Sequence, residues 1–427
     1  MESIDPELLR DSASVPNSLH NVLIDLHRRP YPHIPNPPSC KKRASVALII
    51  RVRPRYAHWP DSPTPPAVQD RTIATEQRLD DFFGQTWVQH GTPEVLFIKR
   101  TSRVGDRWTG HVALPGGKRD PEDTDDRAAA IREASEEVGV DLTTGDYIYV
   151  GNLPERVVTT SWGSVPLQPT EVASTHWVSI NALLSPSLRT TEYVDMSQRL
   201  ANRGGFITRL LYRAFMGRMK FSAIQLKPTE SLQCNTKVNL NGSANLTGSF
   251  IQRCKTCWGN GANSNNQNRP LLLWGLTLGI LADFLDMLPP HTAVQLWEYP
   301  TFTTPDLRWI ISLLTYRLRK RNMLQVKSGV RTIVNNTAVD SKTAALPVVL
   351  ASNTAHGHNE VGIGGLGVGR YYGSSDNDGG TYAVGIMLRG YYDRLRLAIY
   401  VFIAWRIVMG SMAGVYAWRL LKGRTGR

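Results

Sequence analysis

Apolar runs with strand-like composition begin the structured part of the chain. Residues 44–52 (ASVALIIRV) and 94–100 (EVLFIKR) predict two core strands, and the Pro-rich stretch between them predicts a long loop. A short strand then ends at Pro115. Residues 124–138 (TDDRAAAIREASEEV) predict a helix, because apolar side chains recur along one side of it. The glutamates of this helix fall largely on its other face.

The later apolar patterns alternate between strand and helix. Residues 146–157 predict a strand and a turn, residues 171–184 a strand and a short helix, and residues 210–226 a basic helix and a strand. Residues 271–288 predict a buried strand followed by a helix, and residues 305–321 predict an amphipathic helix. The pattern therefore indicates an α/β protein of the mixed α+β type.

Segments without a hydrophobic period divide the chain. Residues 1–43, rich in Pro and His, predict an extended and weakly ordered lead-in. Residues 44–321 form the predicted domain, and the polar tracts at 231–270 predict a flexible insertion within it. The Gly-rich stretch at 322–388 predicts a disordered linker, which precedes a basic C-terminal segment at 389–427.

Charge and cysteine content narrow the class of partner and compartment. The formal net charge is +13 over 427 residues, which favours a polyanionic partner: nucleic acid, an anionic membrane surface or a phosphorylated small molecule. Four cysteines in a chain of this length do not form a disulfide framework. The acidic start has no apolar signal region, so we expect no cleaved secretory signal and a reducing compartment.

Three glutamates crowd one short stretch, REASEEVG at residues 132–139. In a helix, Glu133, Glu136 and Glu137 stand at positions i, i+3 and i+4, so their side chains converge on one face and repel each other. A solvated acidic face tolerates this repulsion. A hard cation such as Mg²⁺ would remove it, because carboxylate oxygens are ligands that suit that ion. Spacing alone leaves both interpretations open.

The residues around these glutamates favour the cation. The stretch GGKRDPEDTDDRAAAIREASEEVGV, residues 116–140, strongly resembles the Nudix box of hydrolases that cut a nucleoside diphosphate linked to another group. The interval from Gly117 to Arg132 is one residue longer than in the family pattern, and Asp123 stands where the first isolated Glu would be. The same stretch, with KRTSRVGDRWTGHVALPGG before it, is similar to the coenzyme A diphosphatase branch. This resemblance spans roughly residues 44–290.

The resemblance implies a Nudix α/β/α sandwich with a mixed sheet and a set of site residues. It implies that Glu133 and Glu137 bind Mg²⁺ or Mn²⁺, that Glu136 completes the site or orients the attacking water, and that Arg132 pairs with a glutamate. A metal ion is also what the chemistry needs, because it neutralises the diphosphate and lowers the pKa of the attacking water. The expected substrate-binding residues are Arg100, Arg107, Gly116, Gly117 and Lys118.

The implied substrate is coenzyme A or acyl-CoA, cut to 3′,5′-ADP and a 4′-phosphopantetheine product. NADH, a nucleotide sugar or a damaged nucleoside triphosphate is the alternative within the enzyme class. The family also implies a further apolar strand near residues 157–170, where this chain has the polar VTTSWGSVPLQPT. That departure keeps a second class open, a degenerate membrane-tethered protein that binds RNA or another phosphate ligand, although nucleic acid is not the expected partner.

A second apolar pattern lies near the end of the sequence. Residues 397–421 (LAIYVFIAWRIVMGSMAGVYAWRLL) are long enough to cross a bilayer and carry aromatic and basic residues at their ends. Arg406 falls near the middle, where an Arg costs roughly 3 kcal/mol, so insertion is close to balanced. The alternatives are a helix lying on the membrane and a basic helix docked on protein. Gly410 and Gly414 form a GxxxG motif that predicts a homodimer. We expect membrane association, with a mitochondrial or peroxisomal address implied by the resemblance.

Overall fold

The computed structural model describes residues 14–31, 33, 42–60, 70–101, 110–155, 172–195, 213, 215–233, 270–289, 291, 293–294, 297–339, 383–388 and 390–425. The helices are α1 (Ser14–Arg28), α2 (Thr75–Phe83), α3 (Thr86–Gln89), α4 (Asp126–Val138), α5 (Ile180–Leu184), α6 (Gly275–Asp286), α7 (Pro305–Val339), α8 (Ala383–Leu388) and α9 (Tyr391–Thr425). The strands are β1 (Ala44–Val46), β2 (Ile50–Arg53), β3 (Thr92–Arg100), β4 (Val112–Ala113), β5 (Gly116–Lys118), β6 (Val172–Ser179), β7 (Arg189–Val194), β8 (Met219–Gln225), β9 (Glu230–Gln233), β10 (Leu272–Trp274) and β11 (Thr301–Phe302).

The strands form three sheets. A five-stranded sheet has the order β2-β3-β6-β9, with β4 also paired to β3. A four-stranded sheet has the order β10-β8-β11, with β7 also paired to β8, and β1 pairs with β5 in a two-stranded sheet. Every pairing among the described residues is antiparallel, whereas the resemblance implied a mixed sheet. The predicted α+β fold class is confirmed.

The main core lies between the two larger sheets and the helices that cover them. Val95 and Phe97 of β3 belong to the same buried cluster as Ile224 of β8 and Leu273 of β10. The alternate side chains of β3 face the other way, where Leu96 packs with Ala134 of α4. Strand β3 is therefore buried on both faces, and it connects the main core to the helix that carries the glutamates.

Helix α1 is part of this core, so the prediction of an extended lead-in over residues 1–43 is wrong for residues 14–28. Leu19, Val22 and Leu26 are buried along one side of the helix. Arg28 forms a two-point hydrogen bond to Glu76 of α2, with distances of 3.1 and 2.8 Å. The Pro and His residues lie mostly beyond Arg28, and their composition concealed an amphipathic period in front of them.

Helices α7 and α8 correct a second prediction, the disordered linker over residues 322–388. Helix α7 continues to Val339. Asn322, fully buried, donates a hydrogen bond from Nδ2 to the carbonyl of Met387 in α8, at 3.0 Å. Most of the glycines that suggested disorder lie between the two helices, so the average composition of the segment misrepresented its ends. Residues 340–382 and most of the predicted insertion at 231–270 lie outside the described residues.

The stretch at 147–155 forms no strand in the described structure, although the sequence predicted one. Ile148 and Val150 pack against the main core, and the Val150 carbonyl lies 3.0 Å from Nδ1 of His27 in α1. An extended segment lying along a helix shows the same alternation of apolar and exposed residues as an edge strand, so the pattern could not separate the two. Residues 156–171, which include the weak strand at 157–170, lie outside the described residues.

Candidate active site

Helix α4 has well-defined ends, which fix the positions of its glutamates. The side chain of Asp125 caps the first turn by accepting a hydrogen bond from the backbone N–H of Ala128, at 2.6 Å. Gly139 ends the helix in a left-handed conformation, with φ of 68°, and its N–H donates to the Ser135 carbonyl at 3.0 Å. Ala129 and Ala134 of α4 are buried, and Glu133, one turn after Ala129, lies against Gly117 of strand β5.

Strand β5 supplies the backbone against which the glutamates lie. Gly116 has a φ of 143°, and a Cβ there would approach the backbone of Val46 in β1 to 2.5 Å. At Gly117 a Cβ would lie 2.4 Å from the carboxylate carbon of Glu133. Neither position has room for a side chain in this arrangement. Gly116 allows β1 to pair with β5, and Gly117 leaves space for the Glu133 carboxylate against the strand.

Glu133 and Glu137 stand one turn apart on α4 and face this strand. Glu137 accepts a hydrogen bond from the backbone N–H of Gly116, at 2.8 Å. Burial raises the pKa of Glu137 to about 7, and the neighbouring Glu133 charge adds to that effect. Burial also raises the pKa of Glu133. Two partly buried carboxylates with raised pKa values fit a bound cation, because a cation would neutralise the negative charge that burial disfavours.

Glu136 lies on the outer side of the pair. Its side chain is 51% exposed, and its two carboxylate oxygens lie 3.3 and 3.2 Å from Nη1 of Arg132. An exposed carboxylate next to a cation site can reach a metal ion or a water molecule bound to one. The structure thus brings the three predicted ligands together on one face, with Glu133 and Glu137 deeper than Glu136.

Arg132 holds the loop before α4 in place. Its Nε lies 3.1 Å from Oδ1 of Asp123 and its Nη2 lies 3.1 Å from Oδ2, so the pair is bidentate. Nη2 also donates to the Lys118 carbonyl at 3.1 Å and approaches Glu133 Oε1 at 3.2 Å. The predicted pairing with a glutamate is present, but the main partner is Asp123. Arg132 is a positioning residue that connects the loop, β5 and α4.

Asp123 has a clear role in this arrangement. It is buried and accepts a hydrogen bond from the backbone N–H of Asp120, at 2.8 Å, as well as the two from Arg132. These hydrogen bonds, that to Arg132 first, hold the pKa of Asp123 below its ordinary value. The aspartate thus serves as the anionic partner of Arg132 despite the extra residue in the loop, because the turn from Asp120 brings it within reach.

Of the three basic residues predicted to bind substrate phosphates, the structure describes Arg100 and Lys118. Arg100 ends β3, and its charge lowers the pKa of Glu137, so it lies on the side of the carboxylates. Lys118 ends β5, with Nζ 4.0 Å from Oδ1 of Asp120. Both basic residues therefore border the carboxylate face. Arg107 lies outside the described residues.

A second group of possible metal ligands lies at the start of α4, and the sequence did not reveal it. His33, Asp126 and Glu155 have ligand atoms within 4.8 Å of one another. Arg43 Nη2 lies between the two carboxylates, 2.7 Å from Asp126 and 2.8 Å from Glu155. A guanidinium already supplies the positive charge there, so we interpret the group as an ion-pair cluster that anchors α4. Its members are far apart in the chain, and no local pattern could have found them.

Comparison with known proteins identifies the family of the chain. The family model described as the NUDIX domain matches residues 87–200. An uncharacterized protein of Schizosaccharomyces pombe is 32% identical over 316 residues, which cover 68% of this chain and 87% of that protein. The chain belongs to the Nudix family, and it is a Nudix hydrolase.

Two relatives whose names state an activity match over shorter segments. The peroxisomal coenzyme A diphosphatase NUDT7 of Mus musculus is 54% identical over 46 residues, 11% of this chain and 19% of that protein. The mitochondrial coenzyme A diphosphatase NUDT8 of Mus musculus is 44% identical over 52 residues, 12% of this chain and 25% of that protein. The chain therefore shares with these two enzymes a segment of at most a quarter of their length.

Proposed function

We propose that this Nudix hydrolase cuts the diphosphate linkage of coenzyme A or acyl-CoA and releases 3′,5′-ADP and a 4′-phosphopantetheine product. The observation that carries the reaction type is the pair Glu133 and Glu137, held one turn apart against the Gly116–Gly117 backbone with raised pKa values. The local similarity to two coenzyme A diphosphatases supports the substrate. The predicted peroxisomal or mitochondrial location rests on the same two relatives.

Each site residue has a separate role in the proposed hydrolysis. Glu133 and Glu137 would hold Mg²⁺ or Mn²⁺, and Glu136 would complete that shell or orient the attacking water. The ion, when bound, neutralises diphosphate charge and lowers the pKa of the attacking water. Arg100 and Lys118 border the same face and would bind phosphate oxygens as cations. Arg132 keeps the part of α4 around Glu133 aligned with β5 through its contacts to Asp123 and to the Lys118 carbonyl.

The test is hydrolysis of coenzyme A by the full chain, with and without Mg²⁺ or Mn²⁺, followed by chromatography of 3′,5′-ADP. We expect metal-dependent product from the wild type and a loss of at least 100-fold in Glu133→Gln, because one ligand is removed. Glu122→Gln is the matched control: Glu122 is an exposed glutamate of the preceding loop, and its variant should keep full activity.

The outcomes separate the parts of the proposal. Metal-dependent hydrolysis of NADH or a nucleotide sugar but not of coenzyme A would overturn the substrate and keep the reaction. Equal activity in Glu133→Gln and in the wild type would overturn the metal site. Salt-sensitive binding of phosphate ligands without any hydrolysis would favour the degenerate binding protein instead.

A further inference from the structure

Helix α9 consists of two halves with different surroundings. In the first half Tyr391, Leu395, Ala398 and Phe402 are buried in a cluster with residues of α6 and α7. The hydroxyl of Tyr391 donates a hydrogen bond to the Pro300 carbonyl, at 2.5 Å. In the second half the described side chains from residue 403 onward are all exposed. The first half is a core helix of the domain, and the second half projects from it.

The projecting half is apolar on every side. Ile407, Val408 and Met409 are exposed one after another, and successive residues of a helix point about 100° apart, so together they cover most of the circumference. Exposed large apolar residues also include Met412, Val415, Tyr416, Trp418 and Leu421. A partner protein docking along one side would require an apolar stripe, whereas a helix that is apolar all round fits an environment that surrounds it. Lipid is such an environment.

The length and hydropathy of the helix agree with lipid. Among the described residues, one helix is long and apolar enough to cross a membrane: Tyr391–Arg419, whose most apolar stretch of 18 residues has a mean hydropathy of 1.7. Only 11% of its most apolar window is buried within the protein, so it does not resemble a core helix of a soluble domain over that window. The first half, however, is already packed against protein, and the part that can meet lipid must begin later than residue 397.

Arg406 marks where that part begins. In the sequence it interrupts the apolar stretch near its middle. In the structure its Nη2 lies 2.6 Å from Oδ2 of Asp306, at the start of α7. The charge is therefore paired at the surface of the domain, where the docked half of α9 ends. Trp309 of α7, one turn beyond Asp306, is 68% exposed at the same place, and a Trp suits the interface between water and lipid.

We propose that residues 404–421 cross a lipid bilayer and that the Arg406–Asp306 ion pair lies at the near membrane surface, so that the catalytic domain sits directly against the membrane. The 15 residues that follow Arg406, 407–421, rise about 22 Å as a helix, which is shorter than the bilayer hydrocarbon thickness of about 30 Å. A span of this length is accommodated by local thinning of the bilayer and by long basic side chains that reach the surface. Trp405 and Trp418 lie near the two ends, as the aromatic residues of membrane helices do. Arg419 and Lys422 reach the far surface with their long side chains. This inference does not depend on the substrate of the enzyme.

The experiment is flotation of the full chain with phosphatidylcholine vesicles, followed by extraction at alkaline pH in carbonate. The decisive comparison is between two aspartate substitutions on α9. Met412→Asp places a charge within the proposed span, and Val401→Asp places the same charge on an exposed position of the docked half. We expect the wild type and Val401→Asp to float equally and to resist extraction. Met412→Asp should lower the ratio of bound to free protein about 100-fold.

Each other outcome overturns the proposal. Equal losses in both variants would show that the membrane begins before Arg406. A wild type that does not float, or that floats only with anionic lipid and is released by carbonate, would show that the helix does not span. A wild-type dimer in vesicle-free buffer, converted to a monomer by Met412→Asp and without flotation, would show that a second copy covers the helix. Circular dichroism and an unchanged thermal midpoint confirm that both variants are folded.

Discussion

Arg132 and Asp123, nine positions apart, form a two-point ion pair in which Nε lies 3.1 Å from Oδ1 and Nη2 lies 3.1 Å from Oδ2. The pair joins the loop before α4 to the helix itself. Arg132 also lies 3.2 Å from an oxygen of Glu133, a proposed metal ligand. The ion pair therefore keeps the guanidinium turned toward Asp123 and limits its competition with a cation for Glu133.

Asp123→Asn tests this role. The substitution keeps the shape of the side chain but removes its charge, so we expect Arg132 to shift toward Glu133 and Glu136. Coenzyme A hydrolysis should fall about 10- to 100-fold, as is usual for residues that position metal ligands. The thermal midpoint should fall as well, because Arg132 loses its bidentate partner. Glu122→Gln, which neutralises the adjacent exposed carboxylate, should change neither quantity; equal effects of the two substitutions would contradict a special role for Asp123.

Gly117→Ala should separate activity from stability. The added Cβ would lie 2.4 Å from the carboxylate carbon of Glu133, and that carboxylate can move away because it ends a flexible side chain. We expect the Kd for Mn²⁺ to rise 10- to 100-fold with little change in unfolding.

Gly139→Ala is the control for that experiment. A Cβ at Gly139 meets no atom within 4 Å, but the residue has a φ of 68°. The substitution should therefore lower the free energy of unfolding by about 1–2 kcal/mol and leave metal binding unchanged. Reversed results for the two glycines would show that Gly117 is needed for the strand rather than for Glu133.

Metal affinity should depend on pH through Glu137. Its pKa of about 7 lies above the ordinary value for a glutamate because the carboxylate is buried. Below pH 7 a metal ion must displace that proton, so the Kd for Mn²⁺ should be about tenfold higher at pH 6 than at pH 8. Titration calorimetry in buffers of different ionisation enthalpy measures both the affinity and the proton release. A Kd that is constant over this range would exclude Glu137 as the titrating ligand.

The metal-free protein should show the opposite dependence in its stability. The pKa of Glu137 is raised in the folded state, so the folded chain holds this proton more tightly than the unfolded chain. Its contribution to stability is fully present below the ordinary glutamate pKa and is lost as the pH rises through about 7. Saturating Mn²⁺ should restore stability at pH 8, and thermal unfolding with and without the ion measures the difference.

The grouping of the candidate site residues follows from the sequence because these residues are local. Glu133, Glu136 and Glu137 share one helix, and Arg132 precedes them directly, so helical geometry alone brings them together. The partner of Arg132 was harder to predict. It depends on how the turn at Asp120 folds, and the extra residue in the loop obscured the position of Asp123. The cluster of Arg43, Asp126 and Glu155 was missed altogether, because only the tertiary fold joins its members.

The errors at both ends of the domain have a common physical cause. Residues 1–43 and 322–388 each combine helical residues with a segment rich in Pro or Gly, so the average composition of each stretch hides its helices. Composition does not show which residues of these stretches are buried. The sequence around Asn322 predicts a polar residue in a linker, whereas in the structure Asn322 is buried and hydrogen-bonded to α8. Arg406 shows the same limit, since no local pattern reveals that Asp306 lies beside it.

Leu19→Ala tests whether α1 belongs to the folded domain. Leu19 is 0% exposed and lies in the main core, so its truncation should lower the free energy of unfolding by about 2–5 kcal/mol. Asn21→Ala is the matched control: Asn21 is exposed on the same helix, and its replacement should be neutral or slightly stabilising, because Ala is the better helix former. Urea unfolding of the full chain measures both variants.

If α1 were the extended lead-in that its composition suggests, Leu19→Ala would be as neutral as the control, and removing residues 1–43 would leave a stable domain. We expect instead that this truncation removes Val22 and Leu26 from the core and exposes the apolar face of α2. The truncated chain should therefore not fold cooperatively.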